Sequence, residues 1–344
     1  MNLILEAKKI MKKCIMHIGM HKTGSSAIQE YLYKNSDLGR GVVYADLGES
    51  NHSGPVSFAF KEGIRTQPFF TRRGLTEEVF EHRKIKYRKM IEKELSKNYS
   101  TIIFSAEAFV TLSVNDLLEF RELLARYVDD IEIVAYVRKP ISFAESAFQQ
   151  KLKYSATEPT VEQIFPSYIH QFKKFDEIFD NLNYRLYERS NLIGTDVVRD
   201  FIHYIPLERS ISVGNINVSI SQLAVKFLYR FNKAKKSMKI DFIQSDEVIE
   251  ILARIEGKKF LLDEITIQRA YQKNELHNTW MARQLGLSTD EFLKYDKSLR
   301  PEDLESFYLF SQEEIGVIHS LENFDSLNDI CINVCDVDIN ELLK

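Results

Sequence analysis

The sequence predicts an α/β protein: a central parallel sheet of about five strands flanked by helices, followed by a helical C-terminal third. Three observations carry that expectation. Five short segments read as continuous apolar runs, the pattern of strands covered on both faces. Helical patterns fall between them, and strand–helix alternation builds parallel sheets through right-handed crossovers. Beyond about Asn191 the periodicity is almost wholly helical.

The first strand is Lys13–Ile18, where Cys14 suits a small buried position. A glycine-bearing turn leads from it into a helix over Ser25–Lys34. Val42–Ala45 is the second strand, and Thr76–Leu95 follows as a helix with Phe80, Tyr87, Ile91 and Leu95 on one face. Tyr99–Ser105 is the third strand and Val114–Arg126 its helix. Ile131–Arg138 is the fourth, followed by helices over Ser142–Lys153 and Val161–Phe179, and Tyr184–Tyr187 is the fifth. The stretch Gly48–Gly74 has little periodicity, and a loop of that length inside an α/β domain often carries function. With no internal repeat and no linker, residues 1–344 read as one domain. It comprises a leader (1–12), an α/β core (13–205) and a mainly helical part (206–344) packed on the core.

Composition narrows the classes. The 344 residues are 44% hydrophobic and 28% charged, ample for a soluble core. A net charge of −4 gives no general attraction to nucleic acid. Cys14, Cys331 and Cys335 are too few for a disulfide framework, and the last two lack the paired spacing of a zinc site. No apolar run approaches the roughly 20 residues that span a bilayer. Met1–Lys13 mixes Glu6 with Lys8, Lys9, Lys12 and Lys13 and lacks the apolar middle of a signal peptide. Met11 is a second candidate start, and the expected location is the cytoplasm. The basic stretch Arg83–Lys97 and the acidic C-terminus read as solvated faces.

Two constellations carry chemistry. The first strand runs into Gly19-Met20-His21-Lys22-Thr23-Gly24-Ser25-Ser26 and then into a helix. A helix N-terminus presents unpaired N–H groups and the positive end of its dipole, so this order builds an anion cradle. Gly19 and Gly24 allow close approach of the backbone to a ligand. Lys22 adds a point charge, and Thr23, Ser25 and Ser26 add hydroxyl donors. The nucleoside-triphosphate loop G-x-x-x-x-G-K-[ST] is not matched, because the lysine precedes the second glycine. The second constellation is Arg138 at the end of the fourth strand with Ser146 eight residues on. Ligands of open α/β sheets collect at strand C-termini, and an arginine fork with a hydroxyl can clamp one phosphate. Ser142 and Glu145 form an S-x-x-E pattern, which makes Ser142 a helix N-cap.

Together, these strings resemble the sulfotransferases that use 3′-phosphoadenosine 5′-phosphosulfate (PAPS). Gly19–Ser26 is similar to their 5′-phosphosulfate loop, and Arg138 with Ser146 to their 3′-phosphate site. The fuller strings His17-Ile-Gly-Met-His-Lys-Thr-Gly and Phe143-Ala-Glu-Ser-Ala-Phe-Gln-Gln resemble a bacterial branch that acts on glycans. Arg185-Leu-Tyr-Glu-Arg, Asn217-Val-Ser-Ile-Ser and Asn278-Thr-Trp-Met-Ala-Arg resemble that branch more weakly. The resemblance implies a P-loop NTPase-like core, PAPS as donor with PAP as product, no metal requirement, and a carbohydrate acceptor. Membrane-linked glycan would bring the protein to a bilayer only peripherally. The resemblance further implies that Tyr187 meets the adenine, a role that competes with packing in the core. Asn217 and Ser219 could line the nucleotide site, although Ser219 with Gln222 reads better as a capping box.

Sulfuryl transfer needs an in-line hydroxyl, a base, and positive charge on the oxygen that departs with the phosphate. Lys22 is the candidate for that charge. Glu107, just past the third strand, is the first candidate base, because a carboxylate in a cleft partly shut from water holds a proton at higher pH. Pairing with Lys22 or capping a helix is its alternative. His52, in the Asn51-His52-Ser53 loop, is the second candidate, since an unperturbed imidazole titrates near neutral pH. Arg65, Arg72 and Arg73 are candidates for an anionic acceptor. A small-molecule kinase and a non-catalytic nucleotide-binding protein are the rival classes. The first lacks Gly-Lys-[Ser/Thr] and an evident magnesium-binding acid.

Overall fold

The computed structural model describes residues 11–64, 75–153, 160–205, 220–237, 246–301, 303 and 308–344. The chain divides into two compact units: residues 1–138 with 168–214, and residues 139–167 with 215–344.

The first unit is built on a six-stranded sheet of order β2-β3-β4-β1-β5-β6. Its strands are β1 (Lys13–His17), β2 (Asp37–Gly39), β3 (Val42–Tyr44), β4 (Thr101–Ser105), β5 (Asp130–Val137) and β6 (Asn181–Leu186). All neighbours pair in parallel except β2 and β3. The five expected strands are present. The sixth, β2, is a three-residue antiparallel edge strand too short to give a period. β6 begins three residues before the expected Tyr184 because its first half, Asn181-Leu182-Asn183, is polar in alternation. An edge strand tolerates that pattern, and every residue of β6 is half-buried.

The helices of this unit are α1 (Ser25–Lys34), α2 (Ser53–Phe60), α3 (Glu77–Leu95), α4 (Val114–Ala125), and, past residues 139–167, α7 (Tyr168–Ile178) and α8 (Val197–Tyr204). The ranges of α1, α3 and α4 follow the hydrophobic periods closely. Ile15, Ile28, Leu32, Ile103, Val134, Tyr136 and Phe201 form one core cluster with α1 and α8 against the sheet. A buried carboxylate helps hold α8. Asp200 accepts hydrogen bonds from the Tyr136 hydroxyl at 2.6 Å and from Arg185 Nη2 at 2.8 Å. Part of the expected Gly48–Gly74 loop is α2, which its sequence conceals by being apolar on every face and by carrying Gly54 and Pro55 in the first turn. Residues 65–74, with Arg65, Arg72 and Arg73, lie outside the described residues.

The second unit is helical: α5 (Pro140–Lys153), α6 (Val161–Ile164), α9 (Gln222–Ser237), α10 (Asp246–Leu252), α11 (Glu264–Lys273), α12 (Glu275–Gln284), α13 (Thr289–Leu293), α14 (Gln312–His319), α15 (Phe324–Cys335) and α16 (Ile339–Leu342). The expected helix Val161–Phe179 is two helices, α6 and α7. Pro166 lies between them, and a proline disfavours helical backbone at the residue before it. Phe148, Leu152, Phe227, Leu228, Phe231, Cys331 and Cys335 form the centre of this unit's core. None of the three cysteines is in a disulfide, and all three are buried.

Two expected caps move. Helix α5 starts at Pro140, with its first turn closed by Phe143 N–H on the Lys139 carbonyl at 2.9 Å. Proline suits a first helical position because its missing N–H costs nothing there. Ser142 is therefore inside the first turn, not the N-cap. Glu145 turns instead to Arg300 Nη1 at 2.9 Å and the Leu262 N–H at 3.3 Å. The cap of α9 is Ser221, whose Oγ accepts from Ala224 N–H at 3.3 Å. Asn217 and Ser219 lie outside the described residues. Among the described residues no helix is long and apolar enough to cross a membrane.

Candidate anion-binding site

Parallel pairing brings the C-terminal ends of β4, β1, β5 and β6 to one edge of the sheet, and the segments leaving them supply the site. The chain leaving β1 stays stitched to its neighbours. Ile18 N–H bonds to the Val134 carbonyl at 2.9 Å, Met20 N–H to that of Tyr136 at 3.3 Å, and Ala106 N–H to that of His17 at 3.1 Å. The loop then turns sharply, with Lys22 at φ 68° and Gly24 at φ 76°. A lysine in the left-handed region costs about 1–2 kcal/mol, so something must hold it there. Arg138, leaving β5, donates from Nη1 to the Lys22 carbonyl at 2.8 Å.

Gly24 is the N-cap of α1, and no side chain caps this helix. By contrast Thr76, Ser113 and Asp196 cap α3, α4 and α8. An uncapped helix start leaves donors for a ligand. A Cβ on Gly24 would stand 2.6 Å from Val197 Cγ1 and 3.5 Å from the Tyr187 hydroxyl, so only glycine fits. Tyr187, leaving β6, donates its N–H to the Val137 carbonyl at 2.7 Å, and the Arg138 guanidinium lies 5.5 Å from its ring centre. Its ring packs partly on the core, as the packing alternative for Tyr187 expects.

The hydroxyls divide their work. Thr23 is fully buried and donates to the Met20 carbonyl at 2.7 Å, which makes it a brace of the loop. Ser25 is also buried, with Oγ 3.4 Å from the same carbonyl and 3.3 Å from Thr23 Oγ1. Ser26 is exposed at the helix start. Ser146 is half-buried on α5 in the second unit, whereas Arg138 ends the first stretch of the other unit.

Glu107 is the first residue of a 3-10 helix that leaves β4, with its side chain 16% exposed. Its Oε2 lies 3.8 Å from His21 Nδ1 and 3.5 Å from Asn51 Nδ2. The expected partner Lys22 is replaced by its neighbour His21. Neither His21 nor Asn51 stood out in the sequence. Asn51 sits in an Asn-x-Ser string whose turn-forming habit was the available signal: Ser53 N–H bonds to Asn51 Oδ1 at 2.9 Å.

His52 does not lie in an open loop. It immediately precedes α2, is fully buried, and stacks on Tyr44 with ring centres 4.4 Å apart. Burial pushes its pKa down from 6.5 to about 3, and a base that holds a proton so weakly draws none from a hydroxyl. Its N–H bonds to the Ser105 carbonyl at 3.1 Å, and its Nδ1 accepts from Ser105 N–H at 3.3 Å. His52 thus belongs to the scaffold under the site. His17 is likewise buried, with Nδ1 2.7 Å from Ser105 Oγ and a pKa pushed by burial to about 3. Among the described residues no group of three or more His, Cys, Asp and Glu could hold a metal ion.

Fold and site together define an α/β protein with a sharply turned strand–loop–helix, an uncapped helix start and a partly shielded carboxylate at one sheet edge. No family model matches the chain. A protein of Archaeoglobus fulgidus described as an uncharacterized protein is 28% identical over 141 residues, 38% of this chain and 38% of that protein. The chain therefore spans well under half the length of the curated relative it matches. Among solved structures, a sulfotransferase from Alicyclobacillus acidocaldarius aligns over 81% of this chain and 98% of its own. The TM-score is 0.39 and the identity 10%. The PezAT toxin–antitoxin structure of Streptococcus pneumoniae aligns over 80% and 87%, with TM-score 0.30 and identity 13%. At TM-scores this low, neither likeness bears on what this chain does.

Proposed function

We propose that this protein transfers a sulfuryl group from PAPS to a hydroxyl of a carbohydrate acceptor, a bacterial surface glycan being the class its motifs favour. One observation carries the reading. The uncapped start of α1 opens behind a loop bent through Lys22 and Gly24, and Arg138 from the neighbouring strand clasps that loop. The loop fits a phosphosulfate group: its helix start is bare, and at Gly19 a Cβ would come 3.0 Å from Ser25 Oγ.

When bound, PAPS supplies the sulfuryl group and a phosphate as leaving group. Backbone N–H groups of Gly24, Ser25 and Ser26, with the Ser25 and Ser26 hydroxyls, hold the 5′-phosphate. Thr23 keeps the loop bent. Lys22 neutralises charge on the departing oxygen. Arg138 holds the 3′-phosphate, and Tyr187 meets the adenine. Glu107 accepts the proton of the attacking hydroxyl. The work is cytoplasmic, with at most peripheral contact to membrane-linked glycan.

Calorimetry with PAP, AMP and ATP–magnesium, followed by sulfate transfer from PAPS across a glycan panel, tests this. PAP binds more tightly than AMP, and Arg138→Ala reduces that preference at least about tenfold, as loss of a charged hydrogen bond does. Comparing PAP with AMP separates the 3′-phosphate from the clasp on Lys22, which both ligands need. An unchanged preference removes Arg138 from the 3′-phosphate site. Preference for ATP–magnesium overturns the reading in favour of a kinase. PAPS binding with no transfer leaves a nucleotide-binding protein.

A further inference from the structure

Glu107 presents two unequal oxygens. Oε2 is approached by Asn51 Nδ2 at 3.5 Å and by His21 Nδ1 at 3.8 Å, whereas the structure gives Oε1 no hydrogen bond and no ion pair among the described residues. Asn51 is not there by accident of an exposed rotamer. Its Oδ1 accepts Ser53 N–H at 2.9 Å, which fixes the amide so that Nδ2 must be the atom turned to the carboxylate. The residues after it are pinned to the strand that carries Glu107. His52 and Ser105 exchange two bonds, N–H to carbonyl at 3.1 Å and Ser105 N–H to His52 Nδ1 at 3.3 Å. Ser53 Oγ accepts Ala108 N–H at 3.1 Å, one residue past Glu107. The Tyr44 hydroxyl holds the Ser50 carbonyl at 2.6 Å on the other side.

We propose that Asn51 is a positioning residue for Glu107: its amide holds Oε2 in place and leaves Oε1 to take the proton of the acceptor hydroxyl. The inference rests on the proposed transfer reaction. As the hydroxyl oxygen bonds to sulfur, its proton passes to Oε1, and the electron pair of the breaking S–O bond leaves with the phosphate. A donor on Oε2 fixes the carboxyl plane while Oε1 keeps its lone pairs. Its 3.5 Å length is at the long end of hydrogen bonding, as catalytic contacts commonly are before substrate binds. The groups facing this carboxylate are Asn51 from the segment before α2 and His21 from the loop after β1. His52 is stacked beneath and neutral.

The test compares Asn51→Ala and Asn51→Asp with the unaltered chain. Asn51→Ala lowers kcat about tenfold or more while the PAP dissociation constant stays within about twofold, as loss of one positioning contact predicts. Asn51→Asp sets a second carboxylate against Oε2, so the acidic limb of the pH–rate profile moves to higher pH. The same charge makes the Glu107 carboxyl carbon signal titrate at higher pH by NMR, a readout that needs no turnover. Unchanged kcat and an unmoved limb in both variants overturn the positioning role. A moved NMR titration in a chain with no sulfuryl transfer keeps the contact and sinks the reaction. Should Asn51→Ala unfold the segment, Asn51→Asp, which keeps the acceptor for Ser53 N–H, still decides the question through its NMR titration.

Discussion

Arg138 in the first unit and Arg300 in the second use the same guanidinium fork to opposite ends. Arg300 is 7% exposed and gives Nη1 to Glu145, itself 4% exposed, and to the Leu262 carbonyl, each at 2.9 Å. Two buried charges cancel, and the pair ties α5 to the start of α11. Arg138 is half-buried at a strand end and gives Nη1 to a carbonyl, that of Lys22, in a strained loop beside an uncapped helix. A buried fork on a carboxylate is a fastener. A half-buried fork on a backbone carbonyl braces the loop, and in the proposed reading it also meets a ligand. The difference lies in burial and partner, neither of which the residue type discloses.

The largest effect expected is in the second unit. Arg300→Ala leaves Glu145 buried without its closest cation and costs about 3–5 kcal/mol, read by urea denaturation. PAP affinity per folded molecule stays unchanged. Replacing both partners, Arg300→Met with Glu145→Leu, recovers most of the loss, because apolar substitutes need no desolvation. Weakened PAP binding with full stability in Arg300→Ala would erase the distinction between the two arginines.

Lys22 sharpens the same contrast from the side of function. Its backbone sits at φ 68°, where glycine is at ease and lysine is not. Lys22→Gly therefore raises stability by about 1 kcal/mol while sulfuryl transfer falls about 10²–10³-fold. Stability and activity moving in opposite directions is the signature of strain kept for chemistry. A drop in both would make Lys22 a structural residue.

Legibility in the sequence follows the same division. The parallel strands and the helices α1, α3 and α4 were readable because one buried face imposes one period. The sharp turn of the loop Gly19–Ser26 was readable because its glycines mark a bend between strand and helix, which falls at Lys22 and Gly24. What escaped depends on contacts distant in sequence. Glu145 looked like half of a capping box until Arg300, 155 residues away, claimed it. His52 looked like an exposed base because nothing local says that Tyr44 stacks on it or that α2 follows it. Asn51 carried only a turn habit, and Glu107 is 56 residues on.

The smallest effect concerns the scaffold beneath the site, where acid can separate fastening from fitting. His17 and His52 both hold Ser105, one through its hydroxyl and the other through its backbone, and burial pushes both from 6.5 to about 3. In the folded chain they stay neutral, whereas in the unfolded chain they take up protons below about pH 6.5. The stability tied to their neutrality is therefore fully present above pH 6.5 and declines as pH falls from there toward 3. Each contributes a limiting slope of about 1.4 kcal/mol per pH unit. Hydrogen exchange at the amides of β4 reports it directly, since Ser105 N–H is the donor to His52. Protection drops steadily from pH 6.5 to 5, and His52→Phe, which keeps a ring against Tyr44, removes about half of that slope at some cost in overall stability. Protection that stays level over that range would mean that the two rings accept protons in place, returning His52 to the candidates for base.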